Sequence, residues 1–230
     1  MEKNKEVFAK IKGGLIVSCQ ALSNEPLYSP FIMSKMALAA YQGGAVGIRA
    51  NTPEDIIKIK ETIDLPVIGL YKCVFDDSDV YITPTIESVD ALMECKPDII
   101  AVDATNRIRP YGKTLESFYK EIRTKYPTML FMADCATLED AVRAEALGFD
   151  IVGTTLYGYT EETKNSILPG FELMKKIVEC VKIPVIAEGG IWSPEHLKVA
   201  MDTGVHAAVV GTAITRPMDI TKRFVEAIKS

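Results

Sequence analysis

Two glycine-containing segments near the end of the chain have the residue types of an anion-binding site. They are 185-VIAEGGI-191 and 207-AAVVGTAI-214, and in each a short apolar run ends in small residues. Runs rich in Val and Ile are typical of buried parallel strands. Glycine has no Cβ, so a ligand can approach the backbone, and a following helix directs free N–H groups at the same point. The pattern predicts a phosphate site formed by these two segments.

Lys72 and Glu188 are the residues best suited to proton transfer. Glu188 directly precedes the first glycine pair, and Lys72 ends an earlier strand-like run. On opposite sides of a ring of strands, they can remove a proton from a carbon beside a carbonyl and return it from the other face. This inverts a stereocentre without a cofactor. It requires a lysine pKa lowered by desolvation or by a cation such as Arg49, and a glutamate pKa raised by burial. Arg49 or Lys72 would also stabilise an enolate oxygen.

A Schiff base is the main chemical alternative for the same lysine. A lysine with a lowered pKa attacks a ketone and forms a covalent adduct, which is the chemistry of an aldolase. The residue types alone leave both reactions open.

Other polar residues stand at the carboxyl ends of predicted strands, where barrel enzymes carry their reacting groups. Several have structural alternatives. Arg49 is a candidate buried partner for Asp103 or Asp134, Asp134 a candidate cap for a helix beginning near Thr137, and Lys72 a candidate solvated loop residue. The strand-end set comprises Gln20, Arg49, Lys72, Asp103, Asp134, Thr154, Thr155 and Glu188.

The histidines and loop tyrosines are weaker candidates. We expect His196, on a helix, and His206, at a strand start, to face solvent or pack in the core. Without a histidine cluster, and with few convergent carboxylates, we expect no catalytic metal. Tyr111, Tyr157 and Tyr159 lie in loops at the predicted mouth, where contact with a sugar ring and loop packing are equally open.

Eight apolar runs alternate with helical segments along the whole chain. Strict alternation predicts a parallel sheet with helical crossovers, and eight units favour a closed (β/α)8 barrel in one domain spanning residues 1–230, with an extra N-terminal helix. No GxGxxG follows the first run, which weakens the dinucleotide-binding alternative. The insert 73–85 is expected over the barrel mouth, the loop 156–166 is a candidate lid, and a last helix is expected from Pro217. The predicted strands are 14–21, 45–50, 66–72, 98–105, 128–135, 149–155, 185–188 and 206–210.

The composition excludes several classes of protein. The 230 residues carry a formal net charge of -5, which argues against a general nucleic-acid surface. The first residues lack the apolar stretch of a signal peptide, and no apolar run approaches the roughly 18 residues of a membrane span. The five cysteines are scattered and odd in number, without CxxC, as expected for reduced thiols in a cytoplasmic protein.

A set of motifs resembles the bacterial N-acetylmannosamine-6-phosphate 2-epimerase family of sialic acid catabolism. The motifs span nearly the whole chain, in order and at spacings consistent with a barrel. They are SCQA, GGAVGIRAN, PVIGLYK, AVDAT, MADCAT, GFDIVGTTLYGYT, IPVIAEGGIWSPE and VVGTAITRP.

The resemblance implies interconversion of N-acetylmannosamine 6-phosphate and N-acetylglucosamine 6-phosphate without a cofactor. Lys72 and Glu188 would be the proton-transfer pair. The substrate is a phosphorylated amino sugar, and we expect neither nucleic acid nor membrane as a partner. A homodimer through exposed apolar helix faces is our expectation for the assembly. Substrate-binding positions would be Gln20, Arg49, Asp134 and Thr155, and phosphate-binding positions Gly189, Gly190, Gly211, Thr212 and Arg216.

Three rival functions stay open at this point. The nearest is a Schiff-base aldolase that uses Lys72 on a phosphorylated or acidic sugar. Another is a different phosphate-dependent isomerase of the barrel class. A third is a non-catalytic phosphosugar-binding protein, although the effector module such a sensor usually needs is not recognisable in the chain.

Overall fold

The computed structural model, which describes residues 2–229, is a closed barrel of eight parallel strands. Neighbours in the chain are neighbours in the barrel, and β8 closes the ring by pairing with β1. The predicted (β/α)8 fold is therefore confirmed. The strands are β1 (Leu15–Cys19), β2 (Gly47–Asn51), β3 (Val67–Leu70), β4 (Ile99–Asp103), β5 (Leu130–Asp134), β6 (Ile151–Gly153), β7 (Val185–Glu188) and β8 (Ala207–Val210).

Helices follow the strands and surround the barrel. Several begin at a Ser or Thr whose hydroxyl accepts a backbone N–H from the first turn, as at Thr52, Thr85, Thr137 and Ser193. Such caps are worth about 1 kcal/mol each. The helices are α1 (Glu2–Ile11), α2 (Pro30–Gln42), α3 (Pro53–Lys60), α4 (Ile86–Cys95), α5 (Leu115–Lys125), α6 (Leu138–Leu147), α7 (Phe171–Cys180), α8 (Pro194–Asp202), α9 (Thr212–Thr215) and α10 (Pro217–Ala227).

Two apolar layers stabilise the barrel. Alternate strand residues point inward or outward, so that Ile16 belongs to the cluster inside the ring and Val17 to the cluster between strands and helices. Val7 and Ile11 of the predicted N-terminal helix pack on the inner cluster. The His206 ring Nε2 lies 2.9 Å from the Phe8 carbonyl oxygen, which places this histidine against α1. The amino end of the barrel is thus closed by α1, and the carboxyl end is left for a site.

Strand β3 is shorter than the sequence pattern predicted. It ends at Leu70, and Lys72 lies beyond it in an isolated antiparallel bridge with Ile82. The pairing changes because the Tyr71 N–H donates to the Thr83 hydroxyl and the Lys72 N–H donates to the Asn51 side-chain oxygen. The insert after Lys72 therefore folds back as a hairpin at the mouth.

The chain end contains one helix that the sequence analysis did not predict. The short helix α9 directly follows β8, and α10 then begins at Pro217 as expected. The longer helix packs mainly against α9, and none of its residues is buried. Among the described residues, no helix combines the length and apolarity needed to cross a membrane.

Candidate active site

A cavity of about 480 Å³ opens at the carboxyl ends of the strands. Its lining includes both proposed proton-transfer residues, Lys72 and Glu188. Their strands, β3 and β7, are four positions apart in the ring of eight and therefore lie across it from one another. Asp134 is absent from the lining. The other residues predicted for the site all line it: Gln20, Arg49, Thr155, Gly189, Gly190, Gly211, Thr212 and Arg216.

Arg49 and Asp134 form a buried ion pair in the barrel floor. Arg49 Nη2 lies 2.6 Å from Asp134 Oδ2, and Nη1 lies 3.2 Å from Oδ1, so the pairing is bidentate. Nη1 is also 3.4 Å from Glu188 Oε2. Burial alone would lower the pKa of Arg49, but the charges of Asp134 and Glu188 outweigh it and raise the pKa. Of the two partners proposed for Arg49, the structure selects Asp134, while Asp103 pairs with Arg107.

Thr155 connects the two carboxylates of the floor. Its hydroxyl lies 2.7 Å from Asp134 Oδ1 and 3.1 Å from Glu188 Oε2. The Glu188 N–H donates to the Thr154 hydroxyl at 2.9 Å, which fixes the end of β7. Burial raises the pKa of Glu188, and the charge of Arg49 opposes this effect. Glu188 is therefore held in place and closer to protonation than an exposed glutamate.

Lys72 is positioned through its backbone. Asn51 Oδ1 accepts the Lys72 N–H at 2.8 Å. Burial lowers the pKa of the Lys72 ammonium to about 8, with further lowering by the charges of Arg216 and Arg49. Roughly a tenth of Lys72 is therefore uncharged at pH 7, and the uncharged amine is a base or a nucleophile.

The two glycine segments form one wall of the cavity. Gly189 and Gly190 have φ of 109° and 70°, values that favour glycine. A Cβ on Gly190 would lie 2.5 Å from the Leu168 Cβ, so a side chain does not fit there. Gly211 precedes α9, and Arg216 at the other end of α9 lies 3.1 Å from Glu25. This wall presents backbone groups and an arginine, as the predicted phosphate site requires.

Gln20 has a polar atom free for a ligand. Its amide nitrogen donates to the Ser18 hydroxyl at 2.9 Å. The amide oxygen is buried and, within residues 2–229, has no hydrogen-bond partner. An unpaired buried oxygen is costly, and a bound hydroxyl or amide N–H would satisfy it.

The expected role of Asp134 as a helix cap is wrong, and the tyrosines of the mouth loops differ in position. Asp134 does not cap α6, because the Thr137 hydroxyl and Asp140 form a capping box there. Tyr159 lines the cavity, whereas the Tyr111 ring packs edge-on against Phe75 at 5.9 Å. Within residues 2–229, no group of three His, Cys, Asp or Glu side chains is arranged as metal ligands.

Several cavity residues were not singled out by sequence reasoning for the site. His196, expected to face solvent or pack in the core, lines the cavity in the first turn of α8. The signal available for His196 was its place just after the EGG segment. Tyr81, Trp192 and Arg223 also line the cavity. Arg223 lies on α10, whose direction no local pattern specifies.

Comparison with known proteins identifies relatives along the full chain. The NanE family model, "Putative N-acetylmannosamine-6-phosphate epimerase", matches residues 33–230. A "Putative N-acetylmannosamine-6-phosphate 2-epimerase" from Enterobacter sp. (strain 638) is 56% identical over 228 residues, covering 98% of this chain and 97% of the relative. A protein of the same name from Listeria monocytogenes serotype 4b (strain F2365) is 55% identical, with 97% of both chains covered.

A solved structure has the same fold. The N-acetylmannosamine-6-phosphate 2-epimerase from Clostridium perfringens is 53% identical and superposes with a TM-score of 0.91, over 96% of this chain and 95% of that one. These similarities extend over nearly the whole length of the chain. The chain belongs to the NanE family of N-acetylmannosamine-6-phosphate epimerases.

Proposed function

We propose that this protein interconverts N-acetylmannosamine 6-phosphate and N-acetylglucosamine 6-phosphate, in the catabolism of sialic acids and amino sugars. One observation carries the mechanism: Lys72 and Glu188 enter the same cavity from strands on opposite sides of the barrel. Family membership indicates the identity of the substrate, and the cavity contains groups suited to the chemistry of that substrate.

The proposed reaction proceeds through the open-chain sugar. Its C2 proton is acidic because the C1 aldehyde accepts the developing charge as an enolate. In one direction uncharged Lys72 removes this proton, and protonated Glu188 returns one to C2 from the opposite face. In the reverse direction the Glu188 carboxylate removes the proton, and the Lys72 ammonium returns one. The lowered pKa of Lys72 and the raised pKa of Glu188 bring both states within reach near neutral pH.

The residues around this pair have proposed roles in binding. Gln20, Arg49 and Thr155 would contact the sugar or its N-acetyl group, and Arg49 would stabilise the enolate oxygen. For Asp134 we replace the expected sugar contact with a positioning role. Its side chain is 0% exposed and both of its oxygens are engaged, by Arg49 and by Thr155. Asp134 thereby orients the two residues that hold Glu188.

The phosphate would be held at the glycine wall. The backbone at Gly189, Gly190, Gly211 and Thr212 provides the close approach, and Arg216 provides charge. The glycine wall begins directly after Glu188, at the end of β7. A phosphate held there fixes the sugar chain, so that C2 is placed between the two bases.

The decisive experiment is proton NMR of N-acetylmannosamine 6-phosphate with the purified protein in deuterated water. We expect the gluco epimer with deuterium at C2. Lys72→Ala and Glu188→Ala should each lower turnover by a factor of about 100 or more. Epimer without deuterium would point to a shielded single-base or internal transfer. Near-normal turnover in either variant would remove that residue from the mechanism.

The aldolase alternative is tested with borohydride. A pKa of about 8 would also suit Schiff-base formation by Lys72. Reduction in the presence of the substrate would trap a covalent adduct on Lys72 in an aldolase, and mass spectrometry would detect it. An epimerase gives no adduct, and the NMR experiment then shows C2 exchange without carbon–carbon cleavage.

We propose a homodimer in which α10 of each copy packs on the barrel of the other. Phe224 on α10 is 73% exposed and Ile228, directly after the helix, is 85% exposed, and exposed apolar side chains of this size favour burial. An apolar groove of about 630 Å³ lies between β1 and α2, where the helix after β8 would complete the outer ring. In its own chain α10 lies outside this groove, packed mainly against α9, with Arg223 stacked on Trp192. A second copy offers both a matching helix and a matching groove, as two-fold symmetry requires.

We place the protein in the cytoplasm. All five cysteines are free in the structure, and three of them are fully or nearly fully buried. Free thiols are usual in a reducing compartment. A phosphorylated sugar substrate is consistent with that location.

A further inference from the structure

The three arginines that line the cavity differ in how far nearby carboxylates neutralise their charge. Arg49 is neutralised in the floor by Asp134 and Glu188, and Arg216 shares its charge with Glu25. Arg223 is the remaining arginine of the lining. Within residues 2–229 it stacks on an aromatic ring and forms no ion pair with a carboxylate.

Trp192 fixes the position of Arg223. The guanidinium carbon of Arg223 lies 4.6 Å from the centre of the Trp192 ring, over its face. Trp192 is the one tryptophan of the chain and lies two residues after Gly190. Stacking on indole orients a guanidinium while leaving its N–H edge available for an anion. Arg223 is therefore held beside the glycine wall, at the phosphate end of the cavity.

A phosphate monoester demands more charge than Arg216 supplies alone. Its second pKa is near 6, so at neutral pH it carries close to two negative charges. Arg216 is partly compensated by Glu25, which leaves a deficit of positive charge at this end. A planar guanidinium can pair with phosphate through two parallel N–H donors. Arg223 has the charge, the geometry and the position to fill that deficit.

We propose that Arg223, oriented by Trp192, is a specificity residue that selects phosphorylated over unphosphorylated substrate. The identity of the sugar in this proposal rests on the proposed epimerase function. The binding of phosphate is argued from the cavity alone. Arg223 contacts the phosphate and Trp192 is its positioning residue. Neither takes part in proton transfer, so they act on substrate affinity rather than on turnover.

Kinetics of Arg223→Ala and Arg223→Lys against Lys222→Ala test the proposal. Lys222 is the neighbouring cation on the same helix, and its exposed side chain pairs with Asp219. We expect Arg223→Ala to raise KM for N-acetylmannosamine 6-phosphate about tenfold, the scale of one charged hydrogen bond, with kcat within twofold. Arg223→Lys should recover little, because an ammonium does not reproduce the stacked fork. Any activity on unphosphorylated N-acetylmannosamine should be the same in all variants.

Binding of inorganic phosphate separates this proposal from the epimerase assignment. Calorimetry measures it in the unaltered protein and in each variant, whether or not the protein turns over a sugar. We expect Arg223→Ala and Trp192→Leu to weaken phosphate binding by a similar factor, and Trp192→Phe to weaken it less. Light scattering on the same samples should show an unchanged molar mass. The proposal is overturned if the unaltered protein binds no phosphate, or if Lys222→Ala weakens binding as much as Arg223→Ala.

Discussion

Asn51 at the end of β2 fixes the backbone of Lys72 beyond the end of β3, with 2.8 Å between its side-chain oxygen and the Lys72 nitrogen. The bond replaces a strand-to-strand bond at the point where β3 stops. It joins two neighbouring strands through a side chain and aims the lysine at the cavity. Asn51 itself is buried, so its role is to position Lys72.

Removal of the Asn51 side chain should therefore lower turnover more than affinity. We expect Asn51→Ala to reduce kcat about tenfold with KM within twofold, because a misplaced base loses transition-state stabilisation. Steady-state kinetics measure both. Asn106→Ala, at an exposed loop position, is the matched control. A change confined to KM would contradict a positioning role for Asn51.

The pH dependence of activity should be bell-shaped in both directions of the reaction. One proton must be shared between Lys72 and Glu188. Below the raised pKa of Glu188 both groups are protonated, and above the pKa of Lys72, about 8, neither is. We expect kcat/KM to fall above about pH 8 and to fall on the acid side at a pH above the ordinary glutamate value. A rate that rises steadily to pH 10 would contradict two-group catalysis and favour a single lysine base.

Asp55 should limit stability at neutral and alkaline pH. Burial, with a smaller effect of Glu54, raises the pKa of Asp55 to about 7 from 3.8, and its Oδ2 lacks a hydrogen-bond partner within residues 2–229. Between these values the unfolded chain releases the proton first, so the free energy of unfolding falls as pH rises towards 7. We expect Asp55→Asn to gain about 2–4 kcal/mol at pH 8 and almost nothing at pH 4.

Urea denaturation of Asp55→Asn at the two pH values measures this effect. Glu54→Gln, at the exposed neighbouring position, serves as the control and should change stability little. An equal gain at pH 4 and pH 8 would show that ionisation of Asp55 is not its cause.

The apolar face of α10 should hold the proposed dimer together. Phe224→Glu puts a charge where the groove is lined by apolar residues such as Ile32 and Met36, so we expect a monomer at micromolar concentration. Light scattering coupled to size exclusion gives the molar mass. Lys222→Glu places a negative charge on the opposite face of the same helix, where the side chain is exposed, and should leave the dimer intact. A dimeric Phe224→Glu would contradict helix exchange.

Local patterns were sufficient to predict the barrel. Val- and Ile-rich runs, Thr and Ser caps and strict alternation each specify their own segment, so eight strands follow without knowledge of distant contacts. Strand ends were less certain, as β3 illustrates, because the bond from Asn51 to Lys72 depends on a neighbouring strand. The residues predicted for the cavity follow from strand ends and from a family resemblance, and both are present in the sequence.

Long-range partners could not be read from the chain. Arg49 had two plausible acids, Asp103 and Asp134, and 85 residues separate it from the one that it binds. Only the register of β2 through β5 decides between them. Arg223 was missed for a related reason: its closeness to Trp192 is set by the direction of α10, which depends on packing far from the sequence neighbours of either residue.

If the proposed dimer forms, the position of α10 would link the strength of substrate binding to the concentration of the protein. In the proposed assembly, one face of this helix rests on another barrel while Arg223 serves the cavity of its own chain. Without the second copy, only the packing on α9 and the stacking of Arg223 on Trp192 would hold α10, so Arg223 would occupy the phosphate end for a smaller share of the time. Apparent affinity for a phosphosugar would then rise with protein concentration by mass action, although no effector is bound.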